Sequence, residues 1–150
     1  MTPTDPHPIR QAIAGWLAQL AGDGSVHLED LLHPDVVFWS PVLFAPQRGR
    51  DLATMYLTAA YQVFPGDQPQ GSQADSGSTV ASTGSFRYTK KILDGNHAAL
   101  EFETTMGGLQ VNGVDIITCD DVGQITEFRV MIRPFRAIEM VRDRMAAMLT

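Results

Sequence analysis

Residues 85–133 hold four strand-like runs joined by short turn strings, and this stretch constrains the chain more than any other. SFRYTKKIL is followed by Asp94-Gly95-Asn96, and HAALEFETTM by Gly107-Gly108. LQVNGVDIITC is followed by Asp120-Asp121-Val122-Gly123, and QITEFRVMIR runs on to Pro134. Connections this short, rich in Gly, Asn and Asp, join neighbouring antiparallel strands; parallel neighbours need a long crossover. The second half therefore predicts a four-stranded meander. Pro134 then opens a helix, PFRAIEMVRDRMAAML, at the first helical position, where the missing N–H has no partner to lose.

The first half is helical. IRQAIAGWLAQLAG places Ile9, Ile13, Trp16, Leu17 and Leu20 at helical spacing, and AGDG stops it. VHLEDLLH predicts a short second helix ended by His33-Pro34, and DVVFWSPV a strand broken by Pro41. A loop with Pro46 and Gly49 leads to RDLATMYLTAAYQVF, a third helix with an apolar stripe of Leu52, Met55, Tyr56, Ala59 and Val63. Residues 1–8 carry three prolines and predict a loose lead-in. Residues 66–84 are Gly, Ser, Gln and Asp with almost nothing apolar, which predicts a flexible loop inside one domain spanning 1–150. Helices first and antiparallel strands after predict an α+β fold with a curved sheet around the early helices, and a pocket where the layers part.

The length suits a single domain with its own core. A net charge of −6 with 11 scattered basic residues offers no stripe for phosphates, so neither nucleic acid nor an anionic membrane surface is an expected partner. One cysteine, Cys119, and four dispersed His argue against a disulfide framework and a structural metal. No apolar run reaches the about 20 residues of a membrane span, and MTPTDPHPIR lacks the features of a signal peptide. A cytoplasmic protein without cofactor or metal is the expectation.

Within GVDIITCDD, alternation puts Asp115 on the face of Ile117 and Cys119. A carboxylate among apolar side chains is costly unless it is paired or used. On the neighbouring runs the apolar sets are Leu100, Phe102 and Thr104, and Phe128, Val130 and Ile132. With Ile117 these would wall an apolar pocket holding one carboxylate, the usual composition of a small-ligand site. Burial would raise the pKa of Asp115, making it a hydrogen-bond donor or a general base near neutrality. The alternative is a carboxylate paired for structure with an Arg or a Trp N–H. Trp16 reads as core or ligand contact, Ser40 as a strand-end hydroxyl or pocket group, and Tyr56 as a hydroxyl aimed into the cavity or a core ring with a wet tip.

The element order, and the strings VFWSPV, RGRDLATMY and GVDIITCDDVGQITEFRVM, resemble the NTF2-like superfamily in its SnoaL-like and ketosteroid-isomerase-like branch. The resemblance covers nearly the whole chain. It implies a cone of sheet and helices, here with a C-terminal helix, whose open end admits a small, mostly apolar ligand with one polar end. It also implies a homodimer. Laid on the isomerase pattern, Asp115 takes the place of the acid that donates to a developing oxyanion, a case the physical chemistry of buried carboxyls explains. The place of the general base is Ser40 and that of the oxyanion tyrosine is Trp16. Both differ from the isomerase set, and an indole N–H donates without being a useful acid. SnoaL-like cyclases work with a buried Asp and few helpers, which a lone Asp115 resembles. The Asp–Arg–Asp set of limonene-epoxide-hydrolase-like members would need Arg129 or Arg133 and a second inward Asp, which the last strand lacks. The implied function is an isomerase- or cyclase-type enzyme with Asp115 as acid or base. The alternative is a non-catalytic binding or interaction domain of the same fold.

Overall fold

The structure, a computed structural model, describes residues 6–22, 24–66 and 85–149. Most of the expected loose lead-in and of the 66–84 loop lies outside the described residues. Ten elements follow in order: α1 (Ile9–Ala21), α2 (Leu28–Leu31), β1 (Leu32–Trp39), β2 (Gln47–Arg48), α3 (Arg50–Val63), β3 (Arg87–Asp94), β4 (His97–Met106), β5 (Leu109–Cys119), β6 (Ile125–Arg133) and α4 (Phe135–Leu149). They form an α+β fold with a curved, unclosed six-stranded sheet in the order β2-β1-β6-β5-β4-β3.

The meander lies where the turn strings put it. Asp94 pairs with His97 and Met106 with Leu109, so both hairpins have two-residue loops. Gly107 and Gly108 both have positive φ, 58° and 80°, the backbone that a tight primed turn requires and that side chains resist. After β5, the Asp120 carboxylate accepts the N–H groups of Val122 and Gln124, at 3.1 and 2.9 Å, and so shapes the turn into β6.

The first half differs from its reading in three ways. The second helix is one turn, because Leu32 and His33 already belong to β1. Residues 47–48 form a short strand, β2, paired with Val37 and Phe38. β1 lies parallel to β6, with Phe38 beside Phe128, so the sheet is mixed. β1 ends at Trp39; beyond it the Ser40 hydroxyl accepts the Val42 N–H at 3.1 Å across Pro41.

Alternation is strict along β4 and β5: even-numbered residues of β4 and odd-numbered residues of β5 face the core. Ile9, Ala12, Ile13 and Trp16 of α1 and Ala53, Leu57, Ala60 and Val63 of α3 cover that face. Thr104 ties β4 to the end of α3, its hydroxyl donating to the Phe64 carbonyl at 2.8 Å. α4 packs against α3 and β6 through the narrow stripe Ala137, Val141 and Met145. Inside, Phe64, Phe86, Phe102 and Phe128 crowd together with Trp16, Tyr61 and Tyr88. Trp16 and Phe128 meet edge to face at 4.8 Å, and Phe86 and Phe102 lie 5.0 Å apart. Gly113 is required by this crowding: a Cβ there would stand 2.4 Å from Phe102 Cζ and 2.6 Å from the Met131 carbonyl oxygen.

Candidate active site

Asp115 sits midway along β5, between Leu100 of β4 and Val130 of β6, and is fully buried. Strand parity alone sends it inward, together with Ile117 and Cys119. Two phenols meet it there. Tyr61 of α3 donates to Asp115 Oδ2 at 2.5 Å, and Tyr88 of β3 donates to the same oxygen at 2.6 Å. Trp16 of α1 donates its indole N–H to the Tyr88 oxygen at 2.9 Å. Asp115 Oδ1 is buried and has no hydrogen-bond partner among the described residues.

Burial drives the titration of this cluster. It raises the Asp115 pKa from 3.8 to about 7, against the pull of the Tyr61 and Tyr88 hydrogen bonds, which favour the ionised form. Burial also raises both tyrosines well above the ordinary phenol value, and the Asp115 charge raises them further. The tyrosines therefore remain donors, while the carboxyl changes state near neutrality. A group with that balance can give a proton in one form and take one in the other. The oxygen left without a partner for either act is Oδ1.

The residues named from sequence fall into four places. Trp16 lies against the network, 4.9 Å from the Tyr61 ring, and its N–H is directed to Tyr88. Leu100, Phe102, Ile117 and Phe128 are fully buried core side chains around Asp115. Ser40, Val130 and Ile132 line a groove of about 590 Å³ between the 39–44 segment, the end of β6 and Ile138 of α4. Tyr56 is half-buried, its ring 6.3 Å from Phe38. A smaller cleft of about 220 Å³ between α1, α2 and α3 has Trp16 and Tyr61 in its wall. Asp115 lines neither groove nor cleft.

Arg129 and Arg133 stand on the other face of β6. Arg129 lies 4.3 Å above the Trp39 ring and 3.9 Å from Glu127, and Arg133 donates to Asn112 Oδ1 at 2.9 Å. Neither belongs to the Asp115 cluster. No group of three His, Cys, Asp or Glu side chains able to hold a metal occurs among the described residues. Burial, and then the charges of Asp120 and Asp121, push the Cys119 thiol up to about 11, which leaves it a poor nucleophile.

Sequence reasoning missed Tyr61 and Tyr88. Both were legible. Phe86 and Tyr88 share one face of their run by alternation. On the third helix, the stripe Leu57, Tyr61, Phe64 fits a helical face as well as the stripe through Met55 and Tyr56. The structure chooses the former, leaving Met55 46% exposed.

A curved, unclosed mixed sheet covered by helices, with a C-terminal helix, is the architecture of the NTF2-like class of α+β folds. Within it, the model of the SnoaL-like domain matches residues 9–128, and the chain belongs to the SnoaL-like family. A steroid delta-isomerase from Pseudomonas aeruginosa has a similar structure, with a TM-score of 0.78 and 28% identity over 99% of this chain and 96% of that one. A protein from Silicibacter pomeroyi, described as uncharacterized with a cystatin-like fold, is 32% identical over 91% of this chain and 83% of that one, with a TM-score of 0.71. The epoxide hydrolase/cyclase-like enzyme SalBIII shares the fold, with 16% identity over 83% of this chain and 89% of that one and a TM-score of 0.53. No curated protein sequence matches the chain.

Proposed function

We propose that this protein binds a small, mostly apolar molecule by one polar end and acts on it as an isomerase- or cyclase-type enzyme, with Asp115 as acid and base. The observation that carries the reading is a fully buried carboxyl with one oxygen held by two phenols and the other unpartnered, where burial raises the pKa to about 7. Buried groups with strongly shifted titration concentrate at functional sites. The ionised carboxylate would take a proton from carbon beside a carbonyl at Oδ1 and return it to another atom of the same substrate. The protonated form would donate to a substrate oxygen. The likeness to a steroid delta-isomerase supports the isomerase side of the reading. The protein would work in the cytoplasm as a homodimer, without cofactor or metal.

A second reading has its own observation. Aromatic rings fill the space around Asp115, with Trp16 and Phe128 in edge-to-face contact, so the fold also suits a ligand-binding or interaction domain without turnover. A panel of unsaturated cyclic ketones separates the two. Conjugation of the double bond, followed by ultraviolet absorbance, is expected with the wild type and lost by at least 100-fold in Asp115→Asn, a general acid–base contribution. Turnover unchanged in that variant would remove Asp115 from the chemistry. Binding of a panel member without turnover, in wild type and variant alike, would favour the binding domain.

A further inference from the structure

We propose that Trp16 is a positioning residue acting through Tyr88: its donor-only indole fixes the hydrogen-bond direction Trp16 to Tyr88 to Asp115 and leaves Asp115 Oδ1 as the oxygen that carries the exchangeable proton. An indole N–H can donate and cannot accept. The Tyr88 oxygen, 2.9 Å away, must therefore be the acceptor in that contact. A phenol has a single O–H; with its oxygen accepting from Trp16, Tyr88 can give that proton to Asp115 Oδ2 at 2.6 Å or to the neighbouring Tyr61 oxygen, and the carboxyl oxygen, the stronger acceptor when ionised, takes it. Tyr61 delivers a second O–H to Oδ2 at 2.5 Å. A proton on Oδ2 would displace one of these donors and strand it in a buried place. A proton on Oδ1 displaces no donor, and it waits there for an acceptor that a bound ligand would supply. A hydroxyl at position 16 could donate or accept, and the chain could then reverse; the indole removes that freedom.

Trp16 of α1, Tyr61 of α3 and Tyr88 of β3 face the carboxyl, flanked by Leu100 of β4 and Val130 of β6. The two tyrosines are the titratable groups that act on Asp115 among the described residues. The direction of the chain stands on these contacts alone; only its use in proton transfer rests on the function proposed above.

The test is the titration of the Asp115 carboxyl carbon by NMR, which needs no substrate. Tyr88→Phe and Tyr61→Phe each remove a donor to the ionised form and are expected to raise the midpoint by about one pH unit. Trp16→Phe is expected to raise it by less, because Tyr88 without the indole is a weaker donor. In a Tyr88→Phe background the Trp16→Phe shift is expected to vanish. Should the Trp16 variant fail to fold, 3-benzothienylalanine at that position keeps the bicyclic shape and lacks the N–H. A Trp16 effect that persists without Tyr88, or no effect with Tyr88 present, overturns the proposal. So does an atomic-resolution structure at acid pH in which the Cγ–Oδ2 bond is the longer. Loss of the enzymatic reading in the ketone assay would leave these midpoints unchanged, so the two ideas fail separately.

Discussion

Replacing Asp115 with Asn should flatten one component of the pH dependence of stability, and the size of that component follows from the structure. In the unfolded chain the carboxyl ionises near 3.8; in the folded protein it ionises near 7. Between those values the folded state holds a proton that the unfolded state has released. Stability therefore falls as pH rises through the window, with a limiting slope of about 1.4 kcal/mol per pH unit. The span of about three units gives a loss of about 4 kcal/mol, present in full below pH 4 and exhausted above about pH 7. Asn keeps an oxygen that can accept from Tyr61 and Tyr88, and places its NH₂ where Oδ1 has no partner, so a fixed cost of about 1–3 kcal/mol replaces the titrating one. Urea unfolding of both proteins from pH 4 to pH 9, followed by far-ultraviolet circular dichroism, yields the difference profile and cancels the other carboxylates. Wild-type stability relative to the variant should fall by several kcal/mol across that window and then level off. A flat profile would refute the reasoning. A profile rising with pH would reverse its sign, since it would mean that the phenols outweigh burial and hold Asp115 ionised.

Other perturbations read other parts of the molecule. Gly113→Ala forces a methyl against Phe102 and the Met131 backbone, and should lower stability by about 1–3 kcal/mol in thermal unfolding; an unchanged midpoint would mean that Phe102 does not lie over β5. Thr104→Val keeps the shape of a buried side chain but takes the donor from the Phe64 carbonyl, for an expected loss of about 1–2 kcal/mol by urea unfolding. Cys119 should resist a disulfide reagent at neutral pH in the folded protein and react at once in urea, because its thiol is buried and pushed up to about 11. Phe44→Ser removes a ring that is 97% exposed and should leave monomer stability within about 0.5 kcal/mol; a large loss would show that the 39–44 segment is packed.

The meander, its two-residue turns and the inward side of β5 were written in the order of residues. A period of two and a pair of glycines act over a few bonds, so they leave a local signature, and Asp115 could be sent to the core from its neighbours alone. The partner of β1 was not local. Parallel pairing of Phe38 with Phe128 joins positions separated by most of the fold, and nothing within DVVFWSPV states it. The stripe read for α3, Leu52, Met55, Tyr56, Ala59 and Val63, matched the buried face only in part for a related reason: apolar residues ring the helix, and packing against β1, α4 and α2 selects the face that carries Ala53, Leu57 and Ala60. Asp115 was therefore legible as a buried acid, while the two phenols and the indole that hold it were fixed only when α1, α3, β3 and β5 closed on one another. Side-chain direction is a property of a few adjacent residues; a hydrogen bond between Tyr61 and Asp115 depends on how whole elements pack.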